Sequence, residues 1–214
     1  MHYTHIIWDF NGTILDDVQL GIDSLNTLLS RRGKKTLDSI EEYHKIFGFP
    51  IIKYYERAGF DFTKEPFEVV AVEWVDEYTS HFSNATVRKD CPETFAAIRE
   101  LGLNQIIMSA TKLELLKNQV ESLGITDCFD GIYGIDNIYA AGKLDIAHRW
   151  KSKNPDSKAL FVGDTTHDFE VAKAIGADCV FLADGHQSRE VLAPLGCPIL
   201  SSPLEIIDII KKHG

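Results

Sequence analysis

Residues 5–13 read His5-Ile6-Ile7-Trp8-Asp9-Phe10-Asn11-Gly12-Thr13, a short apolar run that stops at an acid and is then closed by an amide, a glycine and a hydroxyl. A run too short for a helix and bounded by turn-forming residues is the pattern of a strand buried on both faces, as in a parallel sheet. The pattern recurs at Asn104 to Ser109, Ala159 to Val162, Cys179 to Leu182 and Pro198 to Leu200. Helical periodicity follows most of these runs. Thr111 with Glu114 and Ser202 with Glu205 have the spacing of capping boxes, and Pro203 suits a first helical position. Strand then helix, repeated through the second half, predicts a doubly wound, Rossmann-like parallel sheet core in three α/β/α layers.

Between Asp16 and Ala85 the period changes. Val18, Leu20, Ile22, Leu25, Leu28 and Leu29 mark one helix, and Asp38 with Glu41 has the spacing of a capping box for another. Phe67 to Phe82 is a further helical stretch, aromatic along much of its length, as core packing requires. No strand intervenes, so residues 16–85 are read as an all-helical insertion after the first strand, leaving 1–15 and 86–214 as the core domain.

Composition narrows the function. Hydrophobic residues make up 44% and charged residues 25% of the 214, an ordinary globular balance. The 22 Lys and Arg against 32 Asp and Glu give a formal charge of -10, a field that repels nucleic acid and anionic membrane surfaces. The four cysteines have no CxxC spacing, which fits reduced thiols in a cytoplasm. No signal-like start and no apolar run of about 18 residues is present, so secretion and membrane spanning are disfavoured. An anionic substrate would need local positive charge.

In open α/β sheets ligands bind beyond the carboxyl ends of the strands. Three such ends carry chemistry: Asp9-Phe10-Asn11-Gly12-Thr13, Ser109-Ala110-Thr111, and Gly163-Asp164-Thr165-Thr166-His167-Asp168, with Gly142-Lys143 at a helix start between the last two. Two carboxylates at neighbouring strand ends are costly without a cation between them, and hard oxygen ligands favour magnesium, which binds substrate phosphate as well. Lys143 and the Ser109 hydroxyl would complete a cradle for phosphoryl charge. Each residue also has a plain structural reading. Asp9 suits a turn, Asp164 and Asp168 suit helix caps, Lys143 a solvated surface and Ser109 a strand terminus. Their coincidence, in order, favours the functional reading.

With these motifs the chain resembles the haloacid dehalogenase superfamily, in its phosphoglycolate phosphatase-like branch with a helical cap after the first strand. The resemblance covers essentially the whole chain and rests on Ile6 to Asp16, Ile106-Ile107-Met108-Ser109, Gly142-Lys143, and Phe161 to Thr165 with Asp168. It implies that Asp9 is a nucleophile forming an aspartyl-phosphate, and that Thr13, Ser109, Ala110 and Lys143 hold the phosphoryl group. Magnesium would then sit on Asp9, the backbone carbonyl of Asn11 and Asp164, with Asp168 supporting it, as through water. Gly48-Phe49-Pro50 resembles the cap loop that faces substrate; its plain reading is a helix-breaking turn.

One departure is at Asn11, where relatives carry the aspartate that serves as general acid and then general base. An amide exchanges no proton near neutral pH, which puts a contribution of roughly 10²- to 10⁴-fold in question. His167 is a candidate substitute. The resulting expectation is a magnesium-dependent phosphatase of a small phosphorylated metabolite, monomer or homodimer, with no nucleic-acid or membrane partner. Two alternatives remain: carbon–phosphorus cleavage like that of phosphonoacetaldehyde hydrolase, with Lys53 as a poorly spaced Schiff-base lysine, and a silent metal- or phosphate-binding protein.

Overall fold

The computed structural model describes residues 3–135 and 142–212, which divide into two compact units. The first comprises the chain up to Leu15 and from Val87 onward, the second Asp16 to Thr86. The strands are β1 (His5–Trp8), β2 (Leu15–Asp16), β3 (Thr86–Val87), β4 (Asn104–Lys112), β5 (Gly131–Ile135), β6 (Ala159–Gly163), β7 (Asp178–Leu182) and β8 (Ile199–Leu200). Six form one sheet in the order β5-β4-β1-β6-β7-β8, with neighbouring strands parallel. This is the doubly wound core that the strand-helix alternation predicts.

β1 lies at the centre, with Ile7 opposite Ile106 of β4 and Phe161 of β6. Ile6, Ile7 and Trp8 are fully buried, which explains why this strand is continuously apolar rather than alternating. The Trp8 ring meets Phe95 edge-on at 5.2 Å, and its indole N–H donates to Gln105 at 3.3 Å. Truncating so large a buried side chain costs about 3–5 kcal/mol.

The helices of this unit are α5 (Cys91–Glu100), α6 (Leu113–Ser122), α7 (Lys143–Lys153), α8 (Thr166–Ala174), α9 (Arg189–Leu192) and α10 (Glu205–Lys212), which follow the four of the insertion, α1 (Val18–Arg31), α2 (Ile40–Ile46), α3 (Ile51–Arg57) and α4 (Phe67–Ser80). α7 and α8 pack Ile146, Trp150 and Val171 against Ile7, Met108 and Phe161 of the sheet. The insertion has its own core, in which Val18, Ile22, Leu25, Leu28 and Leu29 of α1 meet Tyr43, Tyr54, Tyr55, Phe60 and Val70. Within it the Tyr78 hydroxyl donates to the buried Asp17 carboxylate at 2.6 Å. No helix among the described residues is long and apolar enough to cross a membrane.

Several local expectations are corrected. β5 is a strand that the sequence pattern does not predict, because Gly131 and Gly134 break its apolar run; a Cβ at Gly134 would lie 2.6 Å from the Thr111 carbonyl, so backbone proximity requires the glycine. β4 continues past Ser109 to Lys112, which takes Thr111 into the strand and leaves α6 with no side-chain cap. Ser39, not Asp38, caps α2, accepting from the Glu42 N–H at 3.3 Å. Pro203 precedes α10, which begins at Glu205; the Glu205 carboxylate accepts from the Ser202 N–H at 2.9 Å, while the Ser202 hydroxyl accepts from Leu204.

Candidate active site

Because β1 runs between β4 and β6, the residues that follow these three strands are neighbours along one sheet edge. The Asp9 N–H extends the ladder by bonding the Val162 carbonyl at 2.8 Å, so the carboxylate emerges at the strand end. Gly142 caps α7 and Lys143 is its first residue. The Lys143 ammonium lies 2.5 Å from Asp9 Oδ1 and 2.5 Å from Asp168 Oδ1, with its side chain only 2% exposed. The surface reading of Lys143 is therefore overturned. Two carboxylates, and the Phe161 ring 5.1 Å from the ammonium, provide the partners that a buried lysine requires.

Asp168 closes a capping box on α8. Its Oδ2 accepts from the Asp164 N–H at 3.1 Å, the Thr165 N–H at 2.9 Å and the Thr165 hydroxyl at 2.7 Å. Burial opposes this charge, yet Lys143 and Thr165 hold the Asp168 carboxyl below its ordinary range. Burial likewise disfavours the Lys143 ammonium, and the Asp168 and Asp9 charges more than offset it, leaving its pKa raised. One carboxylate thus serves as both helix cap and counter-ion.

The other two acids are less compensated. Burial, with the neighbouring Asp168 charge, pushes the Asp9 carboxyl up to about 8 against the pull of Lys143. Burial pushes Asp164 to about 6, although His186 opposes the shift. Asp164 Oδ1 accepts from the Thr13 hydroxyl at 2.8 Å and Oδ2 from the His186 N–H at 2.7 Å. Asp9, Asp164 and Asp168 each offer an oxygen within 4.8 Å of the others, all buried. Three carboxylates facing one ammonium, with two pKa values raised by burial, form a hard-oxygen cluster short of positive charge, and a divalent cation fits it.

Ser109 and Asn11 join through Thr111. The Ser109 hydroxyl donates to Thr111 Oγ1 at 3.1 Å and accepts from the Thr111 N–H at 3.0 Å; the Thr111 hydroxyl donates to Asn11 Oδ1 at 3.0 Å. Ala110 lies between them in β4. Gly12 has φ +70, and a Cβ there would fall 2.3 Å from Asp164 Oδ2, so only glycine allows the loop this approach. Gly48, Phe49 and Pro50 lie in the helical unit, in the turn between α2 and α3, where Phe49 is exposed. His167 faces Glu170 on its own helix at 3.3 Å. The Lys53 ammonium pairs with Glu56 at 2.7 Å on an exposed surface, an ordinary salt bridge.

Three participants escaped the sequence reading: Arg88, Gly185 and His186. The last two follow β7, whose end reads Ala183-Asp184-Gly185-His186, so the strand-end rule applied there would have found them. Gly185 is needed for space, since a Cβ on it would lie 2.4 Å from Asp164 Cβ. Arg88 carries no local signal.

The haloacid dehalogenase-like hydrolase family matches residues 6–182. A protein of Caldanaerobacter subterraneus described as a candidate pyrophosphatase, PpaX, is 27% identical over 84% of this chain and 81% of its own. A phosphoglycolate phosphatase of Neisseria gonorrhoeae is 26% identical over 90% of this chain and 85% of its own. The fold is shared with a candidate phosphoglycolate phosphatase of Lactobacillus delbrueckii, at a TM-score of 0.78 and 17% identity over 98% of this chain and 99% of that one. These similarities favour neither the Schiff-base nor the silent alternative. The chain belongs to the haloacid dehalogenase-like hydrolase family, and within it resembles the phosphoglycolate phosphatase-like branch.

Proposed function

We propose that the chain is a magnesium-dependent phosphatase of small phosphorylated metabolites that works through an aspartyl-phosphate on Asp9. The observation that carries this reading is the Asp9 carboxylate at the end of β1, buried and gripped by Lys143 at 2.5 Å. A carboxylate oxygen of Asp9 attacks phosphorus in line; the new O–P bond forms as the bond to the leaving oxygen breaks. Lys143 offsets the negative charge of Asp9 and of the transferred group, and Asp168 holds Lys143 in place. Magnesium would be held by Asp9 and Asp164, with the Asn11 carbonyl, and would supply Lewis-acid charge to the phosphoryl oxygens. Water then attacks the phosphorus of the acyl phosphate; the bond from phosphorus to the Asp9 oxygen breaks, inorganic phosphate leaves, a proton passes to solvent and the Asp9 carboxylate is regenerated.

Asn11 shapes the substrate range. With its amide oxygen bonded by Thr111, Asn11 orients the site but carries no proton to a departing alkoxide. Substrates whose leaving group is weakly basic, such as aryl phosphates and phosphoanhydrides, are therefore favoured over plain alkyl phosphates. Turnover of 4-nitrophenyl phosphate with and without magnesium, followed by pyrophosphate and 2-phosphoglycolate, tests the reading. Magnesium-dependent release of nitrophenol supports it; no turnover of any of the three refutes it.

A further inference from the structure

The Asp164 carboxylate is held from two loops, and one side chain joins them. On one side the loop after β1 supplies the Thr13 hydroxyl to Oδ1; on the other the loop after β7 supplies the His186 N–H to Oδ2. The Arg88 guanidinium bridges these loops. Its Nη2 donates to the Gly12 carbonyl at 2.7 Å and to the Asp184 carbonyl at 3.3 Å, and its Nη1 donates to the Ala183 carbonyl at 3.0 Å. Its own N–H bonds the Ile14 carbonyl at 2.8 Å, anchoring the residue beside the first loop. Both loops are conformationally unusual where Arg88 grips them, with φ +70 at Gly12 and φ +63 at Asp184. They also touch, since a Cβ at Gly12 would fall 2.6 Å from the His186 ring. The planar fork of an arginine, bonded to carbonyls of both loops, is well suited to fix their separation.

We infer that Arg88 is a positioning residue: by clamping the Gly12–Thr13 loop to the Ala183–His186 loop it sets the orientation of the Asp164 carboxylate toward the cation. The inference rests on the reading that Asp164 helps to hold magnesium. Magnesium demands near-ideal octahedral geometry, whereas calcium accepts varied coordination, so a clamp that sets geometry is felt by one ion far more than by the other. A guanidinium that only contributed to folding would affect both ions alike.

The test is isothermal titration calorimetry of magnesium and of calcium, separately, into the full chain without substrate, for wild type, Arg88→Lys and Arg88→Gln, with thermal unfolding of each apo protein. We expect Arg88→Gln to weaken magnesium binding at least tenfold and calcium binding by less than threefold. Arg88→Lys should fall between, because one ammonium cannot reach three carbonyls with the geometry of a fork. Arg88→Lys preserves the charge and carries the test alone if Arg88→Gln does not fold. Wild type that binds magnesium, with variants that bind it equally well or lose both ions in parallel, overturns the role of Arg88 while leaving the phosphatase reading intact. Wild type that binds no magnesium overturns both.

Discussion

The Thr111 hydroxyl donates to the amide oxygen of Asn11 at 3.0 Å, and Ser109 in turn donates to Thr111. An aspartate at position 11 would accept the same bond with an isosteric carboxylate. Asn11→Asp is therefore expected to fold and to raise steady-state hydrolysis of alkyl phosphates by about 10²-fold, the low end of general acid–base contributions. In the native chain, rapid-quench mass spectrometry should find a phosphorylated peptide containing Asp9, whose lifetime shortens in the variant. Slower turnover in Asn11→Asp, with no trapped peptide in the native chain, would move the search for a proton carrier to His167 and His186.

Lys143 pairs with Asp9 and Asp168 of the buried triad that Asp164 completes. Lys143→Met leaves Asp9 and Asp168 buried against each other, and breaking such a pair typically costs about 3–5 kcal/mol. Urea unfolding of the metal-free variant should show the larger loss at pH 8, where Asp9 ionises, than at pH 5, where a proton neutralises it. Phosphatase turnover should disappear at both. A loss of stability independent of pH would contradict the assigned ion pair.

The pKa shifts set the sign of a pH effect on the metal-free protein. Asp9 and Asp164 rise on folding from 3.8 to about 8 and about 6. A carboxyl raised in the folded state contributes stability that is present at low pH and lost as pH climbs through the folded value. The melting temperature attributable to these groups should thus fall between about pH 4 and 8. Magnesium competes with those protons, so its stabilising effect in differential scanning fluorimetry should grow over the same interval. Asp168 runs the other way, being held low, and loses its contribution only at acidic pH, below the ordinary carboxyl range.

Gly185 lies where Asp164 needs room. A Cβ there would fall 2.4 Å from Asp164 Cβ and 2.5 Å from Oδ2, so Gly185→Ala must displace the carboxylate or the loop. We expect a cost of about 1–3 kcal/mol from overpacking. A misplacement of about 1 Å in a reacting constellation costs roughly 10²-fold in rate. Gly176→Ala, at φ +67 but with nothing within 4 Å of its Cβ, is the control: it adds a backbone strain that Gly185→Ala does not, and should still spare the rate.

Inside the helical insertion, Tyr78→Phe removes the hydroxyl that donates to buried Asp17 at 2.6 Å. The expected loss is about 1–3 kcal/mol, read by chemical denaturation, with no change in the pH dependence assigned to Asp9 and Asp164.

What the sequence determined by itself was local. Ile6-Ile7-Trp8 is a buried strand because nothing polar interrupts it, and α1 is amphipathic because Val18, Ile22, Leu25 and Leu29 recur at helical spacing. The order of Asp9, Ser109, Lys143 and Asp164 along the chain was equally plain, whereas the missing acid at Asn11 is implied only by the family resemblance. Tertiary structure decided the rest. Only the placing of β1 between β4 and β6 makes neighbours of Asp9 and Asp164, and only the approach of α7 to that edge turns Lys143 from a solvated residue into a buried counter-ion. Thr111 has the spacing of a helix cap yet lies near the end of a strand, because pairing with β5 outweighs a local capping preference. Arg88 reaches the Gly12 carbonyl from 76 residues along the chain, and His186 reaches Asp164 from 22. No periodicity encodes such contacts, since they depend on which backbone carbonyls the folded chain brings within reach of one guanidinium.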